Sequence, residues 1–569
     1  MDEDLRKEIR GFALQNASAH GGSTDAKIII GRILGTRPEL RSLANQISPQ
    51  IQSIVAEINA MSAADQILEL KSSHPDLVEQ KKPKPARASL PELKDAKEGN
   101  VVTRFPPEPS GYPHIGHAKA AIINEQYVKM YGGRKILRLD DTNPESERLE
   151  FYAAIKVGLE WLGIEYDVIK NTSDDIEMLL EKGTTLANTG DIYVCTCKRD
   201  DVRNNRAAKK ECKCRKLDLS DSMERWDKMF EKYKPGQAIA RFRGDMSSDN
   251  TVMRDPVMFR IVEGKHPLLG TKYPVWPSYD FAISIEDSVD GVTHAFRSKE
   301  FELRSQLYYD ILDRLSMRKP HVLVFSRLTL AGMPVSKRLI RPLIDEGKVS
   351  GYDDPRLPTI EALKRRGIVS SAVRKFVMSL GMTKSDTIAP FDSLVAFNRQ
   401  IIDASCVRLF MIKEPISCTI SGLPSSQIKI ANHPTQDMGE RTVHVDGNIY
   451  LEEKDACNLQ TGSMLRLLGL GNVRIDSIEK PIKATYVNDE HDAKIPKVQW
   501  VEQSSACEVK LFIPGILFKD EKFNDKSMTE EKIFVEPYYT NLKDGQMVQM
   551  VRFGYCKKES QKTAIYTHG

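Results

Sequence analysis

Two histidines three residues apart, His114 and His117, sit in a stretch otherwise built for sharp turns. RFPPEPSGYPHIGH, Arg104 to His117, carries four prolines and two glycines. Imidazoles at i and i+3 fall on one side of a helical turn. At a helix N-terminus they stand beside free backbone N–H groups and the positive end of the helix dipole, a place that favours anions. There they can donate hydrogen bonds to a polyphosphate, more strongly as phosphoryl transfer builds charge. Gly111 and Gly116 permit a ligand to approach the backbone closely. A proline-rich turn with two surface histidines is the plain alternative. Much later in the chain, SRLTLAGMPVSKRLI places Ser336, Lys337 and Arg338 after a tight turn at Gly332, in what reads as a mobile loop. A lysine there can follow the charge of a departing pyrophosphate. Taken alone, SKR reads equally as a wet loop.

A third cluster is made of sulfur. Four of the nine cysteines fall in YVCTCKRDDVRNNRAAKKECKCRK, as Cys195, Cys197, Cys212 and Cys214. Two thiolate pairs at that separation can close a tetrahedral zinc site. Reduced thiols without metal remain the alternative, because CxC is a rarer zinc spacing than CxxC. The other five cysteines are scattered and read as packing residues.

These groups need elements to position them. VVTRF reads as a strand, the Pro/Gly segment as a loop, and Ala118 to Tyr131 as a helix closed by Gly132 and Gly133. KILRLD is a second strand, and SERLEFYAAIKVGLEWLG a helix beginning after Asn143-Pro144. Strand, helix, strand, helix implies a parallel sheet. Residues 1–80 read as helices, with Leu5, Ile9, Phe12 and Ala13 on one face, then Ile28, Ile33 and Leu34, then Ile51, Ile54 and Ile58. Residues 81–99, rich in Lys and Pro, read as a solvated basic linker. The pattern is broken from Ala238 to Asp287, and helical again over 358–405. Beyond Cys406 short strands alternate with turns, as in RTVHVDGNIYLEE, NVRIDSIE and KVQWVEQ, which suggests β-barrels.

The bulk numbers set limits. A chain of 569 residues, 40% hydrophobic and 28% charged, has room for several domains with real cores. Its net charge of +4 is compatible with a polyanionic partner without requiring one. No apolar run approaches the roughly 18 residues of a membrane span. MDEDLRKEIR resembles neither a signal nor a transit peptide. An odd number of cysteines in a long chain points to a reducing, cytoplasmic setting.

PHIGH with VSKR resembles the paired HIGH and KMSKS motifs of class I aminoacyl-tRNA synthetases. RFPPEPSGYPHIGHAKA, LRLDDTNP, YPVWPSYDFAISIEDSVDGVTH, SRLTLAGMPVSKR and GYDDPRLPT, in that order, resemble the glutamyl/glutaminyl subfamily in its archaeal and eukaryotic cytosolic branch. The likeness runs from about residue 100 to the C-terminus. Pro334 stands where the first lysine of KMSKS is expected, so Lys337 takes the role of the second.

The resemblance implies a multidomain chain. An α/β Rossmann-like catalytic domain (100–174 and 279–340) is split by an α/β acceptor-end-binding insertion (175–278). A helical connector (341–405), two anticodon-binding β-barrels (406–569) and the N-terminal helical extension complete it. It implies ATP as substrate with Mg2+, and phosphate stabilisation by His114, His117 and Lys337. Glu108, Pro109, Ser110, Gly116 and Ser336 would line the ATP site, and Arg327 and Leu328 match the adenine-contacting pair. Arg104, Asp140 and Tyr279 match the amino-acid contacts. Asp140 suits the α-ammonium, and the Arg104 fork suits a side-chain acid. Asp140 or Asp141 as a loop cap, and Tyr279 as a core residue, are the competing readings. Arg297 stands where glutamate enzymes carry an arginine and glutamine enzymes do not. The expected activity is therefore glutamate–tRNA ligation on tRNA(Glu), with tRNA(Gln) an open second substrate. The alternatives are glutamine–tRNA ligation and a catalytically silent tRNA-binding scaffold. Neither membrane nor DNA is an expected partner. Structural zinc would sit on the four clustered cysteines, since some glutamate enzymes carry zinc near here. Arg441, Gln549 and Arg552 are polar groups on the barrel strands that could face RNA, with no base assigned to them.

Overall fold

The computed structural model describes residues 3–19, 22–37, 40, 43–74 and 90–569. They form two compact units, Met1–Ala88 and Ser89–Gly569. In the first, helices Glu3–Ala19, Ala26–Thr36, Ala44–Asn59 and Ala63–Ser73 enclose Leu5, Ile9, Ala13, Ile33, Ile51, Ile54 and Ile58. Asp25 and Ser62 cap two of them through their side chains. Ile28, expected inside, is 53% exposed; Ile29 is buried in its place. The basic run over 81–89 lies outside the described residues. Residues 90–99 are not the solvated tether expected. Leu90 and Leu93 are buried with Ile123, Tyr127 and Phe296, and Tyr127 donates its hydroxyl proton to Pro91 O (2.9 Å).

The second unit is organised by parallel strands. Val102–Phe105, Arg134–Leu139 and Val168–Asn171 pair in that order, and His294–Ser298 pairs with His321–Phe325. The two groups lie side by side, since Thr293 N–H donates to Val102 O (2.9 Å). Their shared face is apolar, with Val102, Ile136, Val168, Ala295 and Val322 in one cluster. The helix Ile115–Tyr131 covers the opposite face through Ile115, Ala118, Ala121 and Ile122, against Phe105, Leu137 and Leu139. This is the period-two alternation of a sheet buried on both sides.

Residues between the two strand groups build a separate antiparallel sheet, Ile192–Cys195, Ile239–Phe242, Val257–Ile261 and Val275–Pro277. Trp226 and Phe259 fill its core. The helix expected right after Pro144 begins later, at Leu149. Glu147 instead folds back to accept the Asn143 N–H (2.6 Å), which makes the intervening residues a turn. Helices Ile360–Arg366, Ser370–Leu380 and Phe391–Ile402 follow the second strand group.

The C-terminal region forms two seven-stranded sheets. In one, the end strands Val407–Leu409 and Met411–Ile412 are consecutive in sequence; in the other, so are Lys497–Val498 and Val501–Glu502. A sheet whose two edges are supplied by one continuous segment curls into a barrel, which removes exposed edges. Arg441 is not available to RNA: it is buried and forms a two-pronged pair with Glu536 (2.5 and 2.8 Å). Arg552 lies beyond the strand Met547–Met550 and pairs with Asp455. Gln549 is on that strand and part-buried.

Candidate active site

His114 is the N-cap of the helix Ile115–Tyr131, so this helix starts earlier than the expected Ala118. Its Nδ1 accepts the Gly116 N–H (3.1 Å), and the His117 Nδ1 accepts the His114 N–H (3.2 Å). This is a capping box made of imidazoles. Both Nδ1 atoms act as acceptors, so each ring carries its proton on Nε2. Burial, with a smaller push from His117, holds His114 well below the ordinary histidine range, and burial takes His117 to about 4. The rings lie 4.0 Å apart. They are thus two neutral, fixed Nε2–H donors at the helix's positive end. Gly116 is required because a Cβ there would lie 2.9 Å from the His114 ring and 3.4 Å from Leu328 O.

The second segment reaches the same place. Lys337 Nζ donates to Ser110 Oγ (2.9 Å) and lies 3.9 Å from Glu108 Oε1. Ser336 occupies the N-cap position of the helix Lys337–Asp345 without a side-chain capping bond, so Lys337 opens a helix where a mobile loop was expected. Pro109 is buried, and its carbonyl accepts the Arg148 N–H (3.3 Å). Gly332, at φ 70°, turns the chain against Ile516 and Phe518 of the C-terminal region. Leu328 is buried, and Arg327 is an exposed side chain held by Glu300 (3.2 Å).

The residues expected to hold the amino acid converge. Burial raises Tyr279 above its ordinary range; Arg297 and then Arg104 oppose this and Asp140 adds to it, so all four share one electrostatic neighbourhood. Arg297 is 3% exposed, and none of its three nitrogens makes a well-aligned hydrogen bond among the described residues; burial lowers it, but the nearby Tyr279 hydroxyl and, less directly, Asp287 and Asp280 outweigh that and raise it. Its guanidinium carbon lies 5.1, 5.5 and 5.6 Å from the ring centroids of Phe301, Tyr308 and Tyr279. Arg104 donates Nε to Asp287 (2.9 Å) and Nη1 to Phe296 O (2.7 Å), leaving Nη2 free. Asp140 also keeps one buried oxygen free; burial raises it to about 8, against the pull of Arg138. Asp141, its neighbour, does not cap the loop that follows it but binds a distant turn and a helix. Its carboxylate accepts from Ser173 N (2.7 Å), Ser173 Oγ (2.7 Å) and Tyr152 OH (2.8 Å).

Asp287 was not evident from the sequence. It accepts from Arg104, Arg138 (2.6 Å) and Tyr308 (3.1 Å). Burial pushes its carboxyl up, yet Arg104 and Arg138 outweigh that and hold it low. Nothing in ISIEDSVDG distinguishes it from Glu286 or Asp290, because its partners come from strands far off in sequence.

The four clustered cysteines meet. Cys195 and Cys212 sulfurs are 3.9 Å apart, Cys197 and Cys214 3.8 Å, and all four lie within 4.8 Å of one another. Zn–S bonds of about 2.3 Å in a tetrahedron require sulfurs about 3.8 Å apart, so the set fits zinc. Arg225 Nη1 lies 3.4 Å from Cys214 and Arg241 Nη1 3.8 Å from Cys212, which offsets thiolate charge. A cavity lined by Cys195, Cys197, Arg199, Arg203, Arg206 and Arg254 opens beside them.

A strand–loop–helix anion site on a parallel sheet, met by a distant lysine, is the frame of a nucleotide-binding protein. The family model for the catalytic domain of class I tRNA synthetases (E and Q) matches residues 100–404. Two models for anti-codon binding domains of the same synthetases match residues 406–491 and 497–559. The glutamate–tRNA ligase of Nitrosopumilus maritimus (strain SCM1) is 56% identical over 568 residues, spanning 100% of both chains. That of Cenarchaeum symbiosum (strain A) is 57% identical over 566 residues, again spanning 100% of both. That of Pyrococcus abyssi (strain GE5 / Orsay) is 38% identical over 573 residues and 98% of each. This chain belongs to the class I tRNA synthetases of the E and Q type.

Proposed function

We propose that this chain is a glutamate–tRNA ligase. It joins glutamate to ATP, releasing pyrophosphate, and passes the glutamyl group to the 3′ end of tRNA(Glu). The observation that carries the choice of amino acid is Arg297, a buried guanidinium among three aromatic rings with no carboxylate paired to it among the described residues. A γ-carboxylate satisfies it. The neutral amide of glutamine would leave a buried charge uncompensated, at a cost of about 3–5 kcal/mol. This argues against glutamine–tRNA ligation. A silent scaffold has no use for two neutral Nε2–H donors at a helix N-terminus whose preceding loop also bonds a lysine from a distant segment.

In this reading the glutamate carboxylate attacks the α-phosphate in line. No covalent enzyme intermediate is needed, and catalysis is positioning plus charge stabilisation. Asp140 receives the α-ammonium, while Tyr279 and Arg104 hold the side chain beside Arg297. Glu108, Pro109, Ser110, Gly116 and Ser336 line the ATP site, with Arg327 and Leu328 at the adenine. His114, His117 and Lys337 take the phosphate charge. Mg2+ bound with the triphosphate would supply further charge neutralisation. Cys195, Cys197, Cys212 and Cys214 would hold a structural zinc, which would brace the insertion at 175–278. The arginine-lined cavity beside the cysteines suits the tRNA acceptor end. The barrels over 406–569 carry the anticodon contact.

The test is ATP–pyrophosphate exchange with tRNA present, followed by glutamylation of purified tRNA(Glu) and tRNA(Gln). Exchange with glutamate and not glutamine is the expected result. Exchange with glutamine alone, or with neither, overturns the reading.

A further inference from the structure

The helix Ile115–Tyr131 is buried on nearly every side, yet one buried position is a lysine. Lys119 is 1% exposed. Its Nζ donates to Ser326 O (2.7 Å) and Ser326 Oγ (2.9 Å) and stands 5.7 Å from the Phe325 ring centroid. Among the described residues no carboxylate forms an ion pair with it. A buried amine with only neutral acceptors is costly, and burial pulls Lys119 down to about 8 against the influence of Asp386. An apolar residue of similar length would avoid that cost, so stability does not explain the lysine.

Its placement does. Gly116 and Lys119 are one turn apart on the same helix face. Gly116 abuts Leu328 O and Lys119 holds Ser326 O. Together they meet both ends of Ser326–Leu328, the segment that carries the adenine-side pair. Apart from the Arg327 side chain, which pairs with Glu300, the segment's other polar bonds go to the connector. Ser326 N donates to Thr383 O (2.7 Å), Arg327 N to Asp386 Oδ1 (3.1 Å) and Thr387 N to Arg327 O (3.1 Å), and Leu328–Leu330 pairs with Thr387–Ala389. Lys119 is therefore the polar tie between this segment and the helix whose first turn holds His114 and His117.

We propose that Lys119 is a positioning residue that fixes Ser326–Leu328 against this helix and so sets the span over which ATP is held. The proposal rests on the ATP site described above. In its absence the segment follows the connector, and the adenine and phosphate ends of the site lose their register.

The experiment titrates α,β-methylene-ATP onto the full-length wild type and Lys119→Met by calorimetry, with melting temperatures taken in parallel. The KM for glutamate is read separately from tRNA-dependent exchange. Lys119→Met is expected to weaken nucleotide binding about tenfold, the loss of roughly one charge-assisted hydrogen bond. The KM for glutamate is expected to stay within about twofold, since Lys119 touches none of its pocket. An unchanged nucleotide affinity, or equal losses for nucleotide and glutamate, overturns the proposal. If Lys119→Met does not fold, Ser326→Ala decides. It removes the hydroxyl that accepts from Lys119 and that also meets Thr383 Oγ1 (3.2 Å), so Thr383→Val is the control; a nucleotide affinity weakened in Ser326→Ala but not in Thr383→Val supports the proposal, and any other result rejects it. The nucleotide titration assumes nothing about the amino acid, so a wild type that binds nucleotide but ignores glutamate would sink the glutamate reading and leave this test intact.

Discussion

Lys337 donates a hydrogen bond to Ser110 across 227 positions of chain (2.9 Å). The two motifs therefore lie within one side chain's reach before any substrate arrives. Lys337 is half-exposed and bound to a neutral hydroxyl, with Glu108 at 3.9 Å. Such a lysine is loosely held, and a triphosphate competes for it easily. Lys337→Ala is expected to slow adenylate formation by about 10²–10³-fold, the usual loss for one charge-stabilising donor. Affinity for tRNA should stay near that of the wild type. Single-turnover exchange and filter binding measure the two; a folded variant with full exchange activity removes Lys337 from the mechanism.

Arg297 is expected to couple function and stability with opposite signs. In Arg297→Gln, kcat/KM for glutamate should fall at least about a hundredfold, while ATP affinity is kept. The same substitution takes an unpaired charge out of an aromatic pocket, so the ligand-free variant should melt no lower than the wild type. Saturating glutamate should then stabilise the wild type far more than the variant. Thermal melts with and without glutamate check this. Equal ligand-induced shifts in both proteins contradict the assignment.

Asp140 gives a pH signature. Its carboxyl is raised to about 8, with burial the main cause. At neutral pH the ligand-free protein therefore holds a proton there that an incoming α-ammonium must displace. Glutamate binding should release protons near pH 7, and affinity should improve as pH rises towards 8, because fewer sites must then give one up. Calorimetry in buffers of different ionisation enthalpy measures the release. Asp140→Asn should abolish it and weaken binding. A pH-independent affinity between 6 and 8 argues against Asp140 as the ammonium partner. The imidazoles add no step there. His117 sits at about 4 and His114 well below its usual range. Their contribution to stability is complete above the unfolded-state value near 6.5 and is lost as pH falls towards 4.

The parts of the site legible in the sequence are those that local chemistry dictates. PPEPSGYPHIGH has to form a turn into a helix, and two CxC pairs bring four sulfurs within reach of one another once a strand and a short helix fold. What escaped was set by topology. Asp287 is one of three carboxylates in ISIEDSVDG, and only the sheet order decides that it meets Arg104 and Arg138. Lys119 sits in a helix that periodicity reads as ordinary, and its partner Ser326 lies 207 positions away. Arg441 misled for the same reason: a charged residue on a strand looks solvent-facing until its buried partner Glu536 is known. Glu147 delayed a helix that Asn143-Pro144 seemed to start, by accepting the Asn143 N–H itself.

The cysteine cluster allows a stoichiometric test. Four sulfurs at tetrahedral spacing with two guanidinium neighbours imply one zinc per chain, visible by elemental analysis of the purified protein. Cys212→Ser should lose that metal. It should also lower the melting temperature, because the site ties the strand Ile192–Cys195 to the segment around Cys212 and Cys214. The residues proposed to hold ATP and glutamate lie on other elements, so the loss is expected to fall on one step. Transfer to tRNA should drop, with a raised KM for tRNA, while the nucleotide affinity of the folded fraction is kept. Chelation of the wild type should reproduce this pattern, and added zinc should reverse it. Protein purified without a chelating step that contains no metal, and whose activity and melting temperature ignore both chelator and zinc, would show that the four thiols merely pack.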